Sequence, residues 1–500
     1  MKIEFWKRTA VRITAVLMML IFSGCVSASP EVKVTPENAV TSVIHSDSSS
    51  RQGSGTASTN PSSLSASSLF RQESSSASIP LPRGPLSSSQ TSMASANSVA
   101  SSSPEMNTAY YSKKGVISSS GTTSSKLTSS ASSSSSASSQ SIYPSQSTAG
   151  QKYVVGYYPS WARGSGFSAD KIDAAKLTHI HYAFANISAD CRLIMAQSST
   201  DLKNFSDLRA LKSKNPALKI IISVGGWDNS KYFSDAAATS SSRETFSQSC
   251  VNFLLTNGLD GIDLDWEYPV SGGVAGNIHR TQDKQNLTTL VRAIRQKLNA
   301  QTAKSGKQYV LSMTGAPDAG FINHIELTSL LPSLDYLFIM GYDMHGSWDD
   351  YSDFNAPLYA PTEPSPQYKV SVNQGIQAYL NAGASPRKLV LGMPFYGYCY
   401  TGVSAANHGL YSTFTSAKSI GYDSVMANYL NNPAFTSYYH STAMVPYLFG
   451  NNTFISYENP QSIAKKAELA KQYGLLGVGA WELSFDHSAV LLTSAYNAFK

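Results

Sequence analysis

Cysteine is scarce in this 500-residue chain, and its four copies fall into no metal-binding spacing. Beyond Cys25 only Cys191, Cys250 and Cys399 remain, an odd and widely separated set that allows at most one disulfide and reads as small buried thiols. His179, His181 and His345 have no third ligand at metal spacing and read as structural, so neither a metal nor any other cofactor is expected. A surplus of charge is also missing. The formal net charge is +6, and Lys2, Lys7, Arg8 and Arg12, less Glu4, supply half of it within the N-terminal leader. What is left over is too little to argue for nucleic acid or an anionic membrane surface as partner. The apolar run from Ile13 to Phe22 is too short to span a bilayer.

What is present begins with that leader. Basic residues, an apolar run and then small residues predict a signal peptide over 1–28, with Val26-Ser-Ala28 as the small-residue pattern before cleavage. The same segment offers a lipoprotein signal ending at 24, because Phe22-Ser-Gly-Cys25 resembles a bacterial lipoprotein box with Phe where Leu is usual. The protein is therefore expected to be secreted or at the cell surface, with lipid attachment through Cys25 as its possible membrane contact. Residues 29–150 are dominated by Ser, Thr, Ala, Gln and Gly without apolar periodicity, which predicts a disordered spacer that cannot offset its ordering entropy.

From Tyr153 onward the pattern changes to short β-rich apolar runs alternating with amphipathic stretches. Strands are predicted over 153–158, 179–186, 219–224, 261–267, 309–315, 336–342, 389–395 and 476–481, and helices over 201–214, 242–256, 284–300, 367–381 and 460–473. Eight strands alternating with helices across 151–500 predict an α/β fold, a (β/α)8 TIM barrel, whose working residues sit at the C-terminal ends of strands. The stretch 397–459 is too long for a simple strand-to-helix loop. It contains the strand-like runs 445–449 and 453–457.

One strand does not read as plain core. In Asp260-Gly-Ile-Asp263-Leu-Asp265-Trp266-Glu267, alternation puts Asp263, Asp265 and Glu267 on one face and Ile262, Leu264 and Trp266 on the other. Same-side positions lie roughly 6 to 7 Å apart, so carboxyl groups there must share protons or solvent, and coupling of that kind keeps an acid ready near neutral pH. Trp266, on the outward face, is assigned to core, and Asp260, at the strand start, to structure.

The stretch Asp260 to Pro269 resembles the D-x-x-D-x-D-x-E signature of glycoside hydrolase family 18, the chitinase family, in its form ending Trp-Glu-Tyr-Pro. Ser223-Val-Gly225-Gly226-Trp227 resembles the family's segment on the third barrel strand, and Met340-Gly-Tyr342-Asp343 its segment on the sixth. His345-Gly-Ser-Trp348 with Asn355 to Tyr359, Gly392-Met393-Pro-Phe-Tyr396-Gly, and Gly479-Ala-Trp481-Glu follow in the family's order. The resemblance implies hydrolysis of β-1,4-linked N-acetylglucosamine polymers with retention, the sugar's own 2-acetamido oxygen acting as nucleophile through an oxazolinium ion. It implies Glu267 as the acid, Asp265 as acceptor for the acetamido N–H, Asp263 sharing a proton with Asp265, and Tyr342 as donor to the acetamido oxygen. Asp343 would bond the same sugar, with Trp481 as floor and Trp161, Trp227 and Trp348 lining neighbouring subsites. Tyr157, Phe184, Gly226, Tyr268, Met340, Met393 and Tyr396 complete the implied substrate contacts, and the stretch 397–459 resembles, in shortened form, the small α+β insertion of one chitinase subgroup, which forms one wall of the cleft.

One departure stands out: after Gly397 the family often has Arg, where this chain has Tyr398, so a polar partner for the substrate or the carboxylates is expected to be missing there. No Trp lies between Trp6 and Trp161, so a tryptophan-bearing carbohydrate-binding module is not evident ahead of the barrel. Chitin or N-acetylglucosamine oligosaccharides are the expected partners of an expected monomer. The competing readings are an endo-β-N-acetylglucosaminidase acting on peptidoglycan or glycoprotein glycans, and a chitin-binding lectin that has kept the fold.

Overall fold

The computed structural model of the chain describes residue 150 and residues 152–500. The leader, Cys25 and the Ser-rich segment lie outside the described residues. In chain order the strands are β1 (Tyr153–Pro159), β2 (His179–Ile187), β3 (Leu193–Met195), β4 (Lys219–Gly225), β5 (Gly261–Asp265), β6 (Val310–Gly315), β7 (Tyr336–Ile339) and β8 (Leu389–Pro394). They are followed by β9 (Tyr396–Thr401), β10 (Ser416–Gly421), β11 (Thr436–His440), β12 (Val445–Gly450), β13 (Thr453–Ser456) and β14 (Gly477–Trp481).

Eight of these, β1, β2, β4, β5, β6, β7, β8 and β14, pair in parallel, and pairing of β1 with both β2 and β14 closes the sheet into a barrel. β3 adds an antiparallel edge to β2. The outward residues of the strands, such as Ile220, Ile222, Ile262, Leu264 and Leu311, are wholly buried. Trp266 is only 2% exposed and stacks on Phe233 at 5.2 Å, so its indole is core as expected.

The helices start where side chains can take up free backbone N–H groups. Thr239 and Ser242 form a reciprocal capping box at the head of Ser240–Asn257, which Gly258 ends in the left-handed conformation. Asn459 and Ser462 do the same for Pro460–Gln472, with Pro460 in the first turn. The helix predicted from 367 starts at Val372, because Ser371 provides the cap. Phe233–Ala238 and Val490–Phe499 are helices beyond those expected. The first spans 6 residues and the second 10. Cys191 and Cys250 are buried free thiols.

Between β8 and Pro460, strands β9 to β13 build a separate antiparallel sheet in the order β10-β9-β13-β12-β11. Its first strand begins at Tyr396, one residue beyond Phe395, so barrel and insertion join without a spacer.

Candidate active site

Strand β5 carries two of the acidic residues and its continuation carries the third. Asp263 and Asp265 face the barrel lumen from β5, but the ladder stops at Asp265, two residues short of the predicted end. Glu267 stands beyond it on irregular backbone. There its N–H donates to Ser230 Oγ at 2.9 Å, and its carbonyl accepts from Asn277 Nδ2 at 2.9 Å. A Cβ on Gly273 would lie 2.0 Å from that carbonyl, and Gly273 has φ of +72°, so glycine alone suits the turn that closes over Glu267.

The three carboxyl groups are not equivalent. Asp263 is wholly buried and accepts from Tyr157 at 2.9 Å, Ser223 at 2.8 Å and Ser312 at 2.7 Å, with His181 Nδ1 at 3.3 Å. Burial pushes its pKa up, but His181 and the serine hydroxyls outweigh that and hold it below the usual carboxylate range. Asp265 has fewer donors. Burial, and then the charge on Asp263, push it to about 7 against a hydrogen bond from Thr314 Oγ1. For Glu267 the surrounding protein and then the charge on Asp265 raise the pKa well above its ordinary value, against a hydrogen bond from Tyr268. Asp265 and Glu267 act on each other as expected, and the row is also graded: lowered at depth, about 7 in the middle, and well above the ordinary carboxylate range at the mouth.

The residues that impose this grading are not among those expected from the sequence. Ser223 and Ser312 stand in register with Asp263 on the two flanking strands, and Thr314 follows Ser312 by two on the same face of β6. A period-two polar row beside an acidic one was the available signal. His181, read only as structural, pairs its Nε2 with the Tyr336 hydroxyl at 2.6 Å and lies with its Nδ1 3.3 Å from Asp263.

Tyr342 lies just past β7, which ends at Ile339 and not at the predicted 342. It is buried beside Asp265, Asp343 and Glu267, which all act on its hydroxyl, and its ring meets Tyr396 edge-on at 6.0 Å. Asp343 opens onto the groove with φ of +56°. Its N–H donates to Asn355 Oδ1 at 2.8 Å, and its Oδ1 accepts from Tyr396 at 2.5 Å and Tyr398 at 2.9 Å. The polar partner expected to be missing without the usual Arg is thus present, as the Tyr398 hydroxyl.

Aromatic planes surround these groups. Trp481 is partly exposed, stacked on Phe184 at 5.7 Å and edge-on to Trp161 at 6.5 Å. Trp161, Trp227 and Trp348 are 41%, 45% and 37% exposed. Tyr268 and Met340 are partly exposed as well.

Three expected contacts belong instead to the layer beneath. Tyr157 is 1% exposed with its hydroxyl committed to Asp263, and Met393 is fully buried. Gly226 donates its N–H to the Asp265 carbonyl at 2.8 Å and, at φ of +74°, makes room for the Phe184 ring, 2.6 Å from any Cβ there. Strand-end position places these residues towards one end of the barrel, and packing sets their depth within it. Asp260, at the opposite end of β5, is gripped by Lys212 at 2.5 Å and Lys307 at 2.9 Å, a structural pair as expected. His345 is held by Asp349 at 3.1 Å and Asp353 at 3.6 Å.

A proton donor beside a poised carboxyl, in an aromatic groove, can protonate a leaving oxygen while the neighbouring carboxylate steadies positive charge. Comparison with known proteins bears on that chemistry. The family profile described as "Glycosyl hydrolases family 18" matches residues 153–486. Chitinase A1 of Niallia circulans is 39% identical over 412 residues, covering 70% of this chain and 59% of that protein. The chain thus spans less than two thirds of that relative's length. Chitotriosidase-1 of Mus musculus is 31% identical over 351 residues, covering 67% of this chain and 73% of its own. Among solved structures, chitinase ChiA74 from Bacillus thuringiensis superposes with a TM-score of 0.65 at 32% identity, covering 70% of each chain.

Proposed function

The chain belongs to glycosyl hydrolases family 18, and from that premise we propose that it is a chitinase, cleaving β-1,4-linked N-acetylglucosamine polymers with retention of configuration. The single observation that carries the reading is the gradient from β5 into its continuation: the pKa is lowered at Asp263, raised to about 7 at Asp265 and raised well above its ordinary value at Glu267, which favours the protonated acid there. In this reading Glu267 protonates the glycosidic oxygen. Asp265, ionised, accepts the acetamido N–H and stabilises the charge that develops as the acetamido oxygen attacks the anomeric carbon. Tyr342 donates to that oxygen and holds it near the carbon it attacks. The C–O bond to the leaving sugar breaks as the ring carbon–oxygen bond of the oxazolinium forms, and water then opens that ring from the face the leaving group vacated. Retention follows from two inversions.

Trp481 and Phe184 offer the floor, and Trp161, Trp227 and Trp348 offer platforms for the apolar faces of further sugars. The lectin reading requires loss of the acid, and Glu267 is present. The test is time-resolved product analysis, with the anomer recorded, on N-acetylglucosamine oligomers, their fully deacetylated counterparts and cellulose-type oligomers. Initial release of the β-anomer from the acetylated series alone is expected. Efficient cleavage of the deacetylated or cellulose series would sink the reading, because neither carries the internal nucleophile.

We further propose export to the cell exterior, where an insoluble polymer is encountered, with residues 29–150 as spacer and Cys25 as lipid attachment. The basic-apolar-small order of the first 28 residues supports this. The mass of the mature N-terminus separates cleavage after Ala28 from acylated Cys25.

A further inference from the structure

Strand β9 delivers two phenols to one carboxylate oxygen. Tyr396 and Tyr398 are two apart on the same face of the strand, and both hydroxyls donate to Asp343 Oδ1, at 2.5 and 2.9 Å. Both rings are nearly buried, whereas Asp343 is exposed to the groove. Asn355 completes the fastening by accepting from the Asp343 N–H and donating to the Tyr396 carbonyl at 3.1 Å. The carboxylate is thus tied at its backbone and through one oxygen, while neither phenol bonds its Oδ2.

We infer that Tyr398 is a positioning residue: with Tyr396 it fixes Oδ1 of Asp343 and leaves Oδ2 facing the groove, as acceptor for a hydrogen bond from an N-acetylglucosamine residue of the substrate. This rests on the chitinase reading for the identity of the sugar. A cation at this position would fix the same carboxylate by charge, but the phenol does so through a single directional bond. It introduces no positive charge beside Glu267, whose pKa is set in part by the charge on Asp343. Tyr398 also meets Trp348 edge-on at 5.7 Å, so the carboxylate and an exposed indole contact the same ring.

The test is Tyr398→Phe, which keeps the ring and its packing against Trp348 and Tyr400. KM for N-acetylglucosamine oligomers should rise on the order of five- to tenfold with kcat changed less than about twofold, as befits loss of one bond to a charged acceptor. In an Asp343→Ala background the same substitution should add nothing further. Independently of turnover, the carboxyl titration of Asp343 in the free protein, followed by ¹³C NMR, should move up, because a donor that lowers it has gone. An Asp343 titration indifferent to Tyr398→Phe would overturn the inference, as would an equal KM penalty in both backgrounds. A wild type inactive on acetylated oligomers would remove the chitinase reading instead, with the titration still deciding the fate of the clamp.

Discussion

Two aspartates stand at the two ends of one strand and meet opposite fates. Asp260, just before β5, is buried, yet Lys212, the Ile220 N–H and Lys307 outweigh the burial and hold its carboxyl below the usual range. Asp265, at the far end, is buried too, has a like charge, Asp263, for a neighbour and Thr314 as its donor, and rises to about 7. Burial alone therefore does not decide what a carboxylate becomes. The groups beside it matter as well: lysines and a backbone N–H for Asp260 at the barrel floor, and the charge on Asp263 for Asp265. The floor uses charge for stability, and the mouth uses it to hold protons.

That contrast can be broken most directly at Glu267. Glu267→Gln should lower kcat roughly 10² to 10⁴-fold, with oligosaccharide binding and thermal midpoint retained; a near-normal rate would dissolve the distinction between the two ends. Asp263→Asn removes the charge that lifts Asp265. The limb of the kcat/KM profile governed by Asp265 should then move to lower pH from near 7, and a stationary limb would mean that burial alone sets it. At the floor, Asp260→Asn should cost about 1–3 kcal/mol of stability, nearer the lower end because both lysines are partly exposed, and leave kcat unaltered. The Asp260 carboxyl has a depressed pKa, so its contribution is present above the ordinary Asp range and lost as pH falls through the lowered value. Wild type and variant should accordingly converge in acid denaturation. Smallest of all, Trp348→Ala should raise KM for long oligomers more than for short ones, and a uniform rise would place that indole nearer the cleavage point.

Much of this was legible in the chain. Strand spacing predicted eight barrel strands because each is an apolar run bounded by turn residues, and the alternation in 260–267 identified the acidic face without coordinates. Depth was not legible. Tyr157, Gly226 and Met393 sit at strand ends in sequence, but the packing of neighbouring rings puts them one layer under the groove. Nor was the grading of the carboxyls, which depends on Ser223, Ser312 and Thr314 approaching from other strands. Tyr398 looked like a missing cation because sequence comparison scores residue type, whereas the hydroxyl's reach to Asp343 is a property of the fold.

The unequal exposure of the indoles has a practical corollary. Trp161, Trp227 and Trp348 emit from a watery setting, while Trp266 emits from a dry one. A saccharide settling across the first three should shift their fluorescence to the blue and leave the fourth as an internal standard, so occupancy can be titrated without a label, even in a variant that turns nothing over.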